Sequence, residues 1–132
     1  MGNLRIFTII AWIALPTVMY GGYALLGFLT RGGLSAFQQT FFRAGHAHAG
    51  VLLLMSLLYY SYLEKTTLSP ALKVAGAIIV LAGILAQSGG FFLHLALGQS
   101  GQASAGTAVT TVGAVLLAIG VAVLVVGLIA SR

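Results

Sequence analysis

Four long apolar stretches decide what this chain can fold into. A helix that crosses the hydrocarbon core of a bilayer needs about 20 mostly apolar residues. Four segments meet that length, and they run over 6–29, 45–63, 71–97 and 107–130. The sequence therefore predicts an all-α integral membrane protein, in which residues 1–132 form a single four-helix bundle that runs up-down-up-down.

The composition supports a membrane protein and excludes several kinds of chemistry. Hydrophobic residues make up 60% of the 132 residues and charged residues 5%, whereas about a quarter of an ordinary soluble chain is charged. There is no cysteine, which excludes disulfides and thiolate sites. The one acidic residue is Glu64, beside Lys65 at a segment end. A buried zinc hydrolase would need a carboxylate base, and a proton-coupled transporter a membrane-embedded acid, so both classes are disfavoured.

The segments between the predicted helices contain residues that typically end or begin a helix. Residues 30–43 are predicted as a polar connection with a short amphipathic turn, and 98–106 as a flexible, uncharged connector. Between the second and third helices, Ser69 is a candidate N-cap and Pro70 suits the first helical position. Pro16 is expected to bend the first helix, because proline removes a backbone hydrogen bond.

Basic residues at the segment ends predict the orientation. Counting them by side gives four on the side of the termini and two on the other, which favours cytoplasmic termini in a bacterial or archaeal plasma membrane. The first group is Arg5, Lys65, Lys73 and Arg132, and the second is Arg31 and Arg43. The net charge of +5 is therefore attributed to topology, and no nucleic-acid partner is expected. All three histidines then lie toward the outer face.

Glycines recur every seven residues in the last two segments. They stand at 76, 83 and 90 in the third and at 106, 113, 120 and 127 in the fourth. Small residues with this period let two helix backbones approach closely. The pattern predicts packing of the third helix on the fourth, with a subunit interface as the alternative. The small size of the chain also favours a homo-oligomer.

Two histidines at the head of the second apolar stretch are the main functional signal. His46 and His48 stand two residues apart, so on a regular helix they point to nearly opposite sides. Either one faces the bundle and the other a second subunit, or the first turn is unwound and the pair chelates a metal. Gly50, one turn from His46, would leave room for a flat group. Gln87 lies at the depth of His46 and is a candidate hydrogen-bond partner for it, and His94 is the third candidate ligand.

Imidazole chemistry narrows the candidate ligands. Ionisable residues in a membrane span are expensive and usually functional. Neutral imidazole suits copper, zinc, nickel and haem iron, and only Met55 could add a further soft ligand. Haem and copper fit best, with His46, His48 and His94 as candidate metal ligands. The alternative is that these are interfacial histidines that hydrogen-bond near the headgroups.

One local motif resembles a known family. Arg43-Ala44-Gly45-His46 at the head of an apolar helix resembles the second helix of the catalytic subunit in the haem–copper oxidase and nitric oxide reductase superfamily. The His46-Ala47-His48 element is similar to a motif in related membrane haem–copper proteins of the nitric-oxide response. The resemblance covers about 20 residues, and the chain lacks the twelve helices and the further histidines of that family. It implies a haem with His46 as an axial ligand and Arg43 near the propionates.

These observations give one leading expectation and two alternatives. The leading one is a small membrane haem b protein that transfers electrons or senses a gas, with His94, His48 or a second subunit's histidine as sixth ligand. The alternatives are a copper-binding or copper-handling protein and an accessory subunit of a larger membrane complex. A redox partner would accompany the first. No enzymatic reaction is assigned from the sequence.

Overall fold

Four long helices make up nearly all of the chain. The computed structural model describes the backbone of residues 2–131 and the side chains of residues 4–131. The helices are α1 (Gly2–Arg31), α2 (Ala36–Glu64), α3 (Pro70–Leu97) and α4 (Ala105–Ala130). At 26 to 30 residues each, they are about 39–45 Å long, and all four are apolar enough to cross a membrane. The predicted all-α four-helix architecture is confirmed.

Helix α2 begins nine residues earlier than predicted. The stretch assigned to a polar connection instead forms the first turns of the helix, which starts after Ser35. The Ser35 hydroxyl accepts from the Gln38 backbone N–H at 3.2 Å, and the Gln38 side chain accepts from the Ser35 N–H at 3.0 Å. This reciprocal pair is a capping box, which satisfies two backbone donors that a helix start leaves open. The histidines are therefore well inside the helix, with His46 ten residues, or about 15 Å, after Ala36.

The other boundaries follow the sequence signals closely. Ser69 caps α3 and Pro70 occupies its first position, as predicted. Ser104 caps α4 in a second capping box, with Thr107 as the partner. Helix α1 is continuous through Pro16.

The four helices form a rhombic arrangement. Helices α2 and α3 are the central pair, α1 packs on α2 and slightly on α3, and α4 packs on α3 and slightly on α2. Within the described residues, α1 and α4 do not touch. The two sides of the central pair are therefore distinct, one covered by α1 and the other by α4.

The closest contact in the bundle is the glycine seam between α3 and α4. All seven glycines of the predicted repeat are buried. A Cβ placed on Gly113 would collide with the backbone of Gln87, and one on Gly106 with the backbone of His94. On α3, a Cβ on Gly83 would lie 2.8 Å from Leu117. The predicted packing of the two helices within one chain is confirmed, and it places their backbones in direct contact.

Hydrogen bonds tie α2, α3 and α4 together in the half of the bundle that holds the α2–α3 connection. The Tyr59 hydroxyl of α2 donates to the Gly120 carbonyl of α4 at 2.9 Å. The Lys73 ammonium donates to the Glu64 carbonyl at 2.8 Å, and the Thr67 N–H to the Ser131 hydroxyl at 2.8 Å. These bonds join three of the four helices into one unit.

The seam predicts an asymmetric response to added methyl groups. Gly113→Ala forces α3 and α4 apart, and we expect it to destabilise the bundle by about 1–3 kcal/mol, the usual cost of overpacking. Gly89→Ala is the matched control on α3, because a Cβ there meets nothing within 4 Å. Thermal unfolding in a mild detergent measures both. Equal melting temperatures for the two variants would contradict the seam.

Candidate functional site

His46 and His48 lie on one continuous stretch of α2. The helix is regular from Ala36 through both residues, so the option of an unwound, chelating turn is wrong. Both imidazoles are half-buried, and each contacts another helix of the same chain. His46 faces α1, and His48 faces Phe91 of α3, with ring centroids 4.6 Å apart.

His46 lies on the wall of a cavity between α1, α2 and α3. Its volume is about 300 Å³, at the lower end of the range for pockets that enclose organic ligands. The lining is almost entirely apolar apart from the imidazole and one hydroxyl. The lining residues are Thr17, Val18, Gly21, Phe42, His46, Ala49 and Phe92.

Two glycines of α1 make room for the His46 ring. A Cβ on Gly22 would lie 3.0 Å from His46 Nε2, and one on Gly21 would lie 3.6 Å from Nδ1. The imidazole therefore rests directly on the backbone of α1. Its nitrogens make no hydrogen bond within the described residues, in contrast to those of the other two histidines.

Small residues of α2 shape the same cavity in a way that differs from the prediction. Val18 of α1 lies 3.6 Å from the position of a Cβ on Gly50, so the space expected beside Gly50 for a flat ligand is taken by α1. Gly45 instead admits the Phe92 ring, since a Cβ there would lie 2.8 Å from it. The free space is therefore next to Ala49.

His48 has a defined tautomer. Its Nδ1 lies 2.8 Å from the Ala44 carbonyl, which can only accept, so Nδ1 carries the proton and Nε2 has the free lone pair. An imidazole held in this way has the orientation typical of a metal ligand. His48 lies on the opposite side of α2 from His46, however, and stacks on Phe91.

His94 is engaged in the structure of the bundle. It is 3% exposed, and its Nδ1 lies 2.7 Å from the hydroxyl of Ser104, the N-cap of α4. That hydroxyl accepts from the Gly106 N–H at 3.0 Å, so its own proton is available for His94. Phe37 and Phe41 of α2 pack edge-on against the ring, with centroids 5.3 and 4.4 Å away. His94 thus joins the start of α2, the end of α3 and the start of α4.

The remaining predicted site residues also lie apart. The Cβ of Gln87 faces Gly113 of α4, and its carbonyl accepts from the Thr110 hydroxyl at 3.4 Å. The predicted hydrogen bond between Gln87 and His46 is not formed, because Gln87 lies on the face of α3 that meets α4. Arg43 is exposed seven residues after the start of α2, one turn before His46.

An aromatic cluster beside His46 was not predicted from the sequence. Phe42 and Phe92, which both line the His46 cavity, meet at a centroid distance of 5.4 Å with nearly perpendicular rings. Phe28 of α1 lies 6.3 Å from Phe42 and extends the cover. Two sequence features indicate this region. The capping box at Ser35 marks the start of α2, and the adjacent Gly21 and Gly22 mark a close contact of α1.

The three histidines do not form a common metal site. Within the described residues, no three side chains of the types that bind metals come together. His46 is the one imidazole that combines free nitrogens with adjoining space. An imidazole nitrogen can bind haem iron, but a cavity of about 300 Å³ is smaller than a haem. Because Nε2 rests on Gly22, a planar group fits between them only when α1 moves away from α2.

Comparisons with known proteins found no match. No protein-family model, no curated protein and no solved structure matches it. The function is therefore argued from the site alone.

Proposed function

We propose that the chain is a small membrane haem b protein in which His46 is the axial ligand. The supporting observation is a half-buried imidazole without a hydrogen-bond partner on the wall of an apolar cavity. An ionisable group in a membrane span is a functional-site candidate by default. Haem would supply a redox-active iron that binds small gases, and the protein would supply the imidazole and a dry surrounding.

Arg43 is the proposed partner of the propionates. It is exposed near the outer end of α2 and lies three residues, or about 5 Å along the axis, before His46. A guanidinium in that position can form charge-assisted bonds with a carboxylate at the membrane surface.

A single axial histidine favours gas sensing over electron transfer. His94 is hydrogen-bonded to Ser104 and enclosed by phenylalanines, and His48 is on the other side of α2. Neither offers a second nitrogen to the His46 cavity within one chain. We infer an open sixth position, unless a second copy of the chain supplies a histidine. The separation of the three histidines also argues against copper, because a copper site would need at least two of these side chains together.

Variants at the three histidines test the assignment. His46→Ala should abolish the Soret absorbance of the purified protein while the protein still inserts and folds. His48→Ala is the matched control on the same helix and should keep it, and Arg43→Ala should only weaken haem retention. The reduced protein should bind carbon monoxide with a shift of the Soret band, because the sixth position is open. Full haem content in His46→Ala would refute the ligand assignment.

The orientation is a second part of the proposal, with both termini in the cytoplasm and the His46 cavity toward the outer face. It rests on the excess of basic residues on the side of the termini. Because the chain has no cysteine, single cysteines report on sidedness directly.

Labelling with a membrane-impermeant maleimide tests that orientation. Gln102 and Ala71 are both exposed, the first in the α3–α4 connection and the second at the start of α3. In intact cells, Gln102→Cys should be labelled and Ala71→Cys should be labelled only after lysis. The reverse pattern would place the cavity on the cytoplasmic side.

A further inference from the structure

Helix α1 is held to the bundle differently from the other three helices. All of its side-chain hydrogen bonds among the described residues stay within α1, such as those of Thr17 and Arg31. The other helices are joined by bonds such as those between Tyr59 and Gly120 and between His94 and Ser104. Of the most apolar 18-residue window of each helix, 11% is buried in α1, against 17% in α2, 22% in α4 and 39% in α3. Apolar packing alone therefore holds α1.

That packing is weak where the cavity lies. Lipid tails are as apolar as the side chains they replace, so two helices in a bilayer have no hydrophobic drive to stay together. At the cavity, α1 presents Gly21 and Gly22 to the His46 ring and Val18 to Gly50. Separation of α1 from α2 there breaks only van der Waals contacts and exposes an imidazole that has no other partner.

Aromatic rings lie at the end of the cavity nearest the start of α2, in contrast. Phe42 and Phe92 meet there, and Phe28 packs on Phe42 from α1. Gly45 allows the Phe92 ring to lie flush on α2. A water-soluble ligand would have to pass this aromatic cover.

We propose that the ligand of the His46 cavity enters sideways from the outer leaflet of the bilayer, through the contact between α1 and α2. The ligand is therefore a planar molecule that dissolves in lipid, and α1 is a movable wall that closes over it. Haem b belongs to this class, and its use as the probe rests on the function proposed above.

A reversible lock across the contact tests this route. Val18 Cγ1 lies 3.6 Å from the position of a Cβ on Gly50, which is close enough for a disulfide in Val18→Cys/Gly50→Cys. Thr67→Cys/Ser131→Cys is the control lock, because the two hydroxyls lie 3.1 Å apart at the inner end, away from α1. The chain has no other cysteine to interfere.

Haem uptake from phosphatidylcholine vesicles is the first measurement. The oxidised Val18→Cys/Gly50→Cys protein should lose uptake and regain it with dithiothreitol, whereas the control lock should take up haem equally in both states. Equal uptake by the oxidised and reduced forms of the first protein would overturn the lateral route.

A nitroxide at Ala49→Cys, in protein prepared without haem, gives a readout that needs no bound ligand. Collisions with oxygen, which dissolves in the bilayer, should exceed collisions with a water-soluble nickel chelate, whereas a nitroxide at Gln102→Cys in the exposed α3–α4 connection should show the reverse. Preferential collision with the chelate would overturn the proposal. If the wild-type protein takes up no haem, the proposed function fails, and the nitroxide result alone decides the route.

Discussion

Direct backbone contact between α3 and α4 is the constraint on which the rest of the bundle depends. Because glycines occupy every seventh position, the two backbones are in direct contact at Gly90, Gly106 and Gly113, and each helix fixes the register of the other. That register places Ser104 beside His94 and Gly120 beside Tyr59. The Tyr59 bond aligns α2 with the pair, and the Phe37 and Phe41 rings of α2 pack on His94. The three helices therefore form a unit that includes one histidine as a structural part.

The fourth helix lies outside this unit, and the candidate site is on its side. Within the described residues, helix α1 does not contact α4, and all of its side-chain hydrogen bonds stay inside α1. His46 and its cavity lie under α1, whereas His94 lies among the tied helices. The bundle thus separates three helices that are joined by hydrogen bonds, one of which carries His46, from α1, which is held by apolar packing. In the proposed function, α1 is the wall that moves to admit the ligand.

Much of the fold could be predicted from the sequence, because the controlling signals are periodic. Span length gave the four helices, and the glycine repeat gave the α3–α4 contact. The start of α2 was misplaced since its first nine residues are less apolar than a typical span, although Ser35 and Gln38 form a visible capping pair. The helical period also gave the divergence of His46 and His48. It does not say which helix each imidazole meets, so Gln87 and Gly50 were assigned roles that other contacts exclude.

The central claim is that one chain holds one haem through His46, and native mass spectrometry of the protein released from its own membrane tests it most directly. The spectrum reports the mass bound to each 13.6 kDa chain and the number of chains together. The account predicts one haem for every chain of the unmodified protein, and no haem in the His46→Ala variant purified in parallel. Bare chains from haem-replete cells, or chains that carry copper in place of haem, would contradict it.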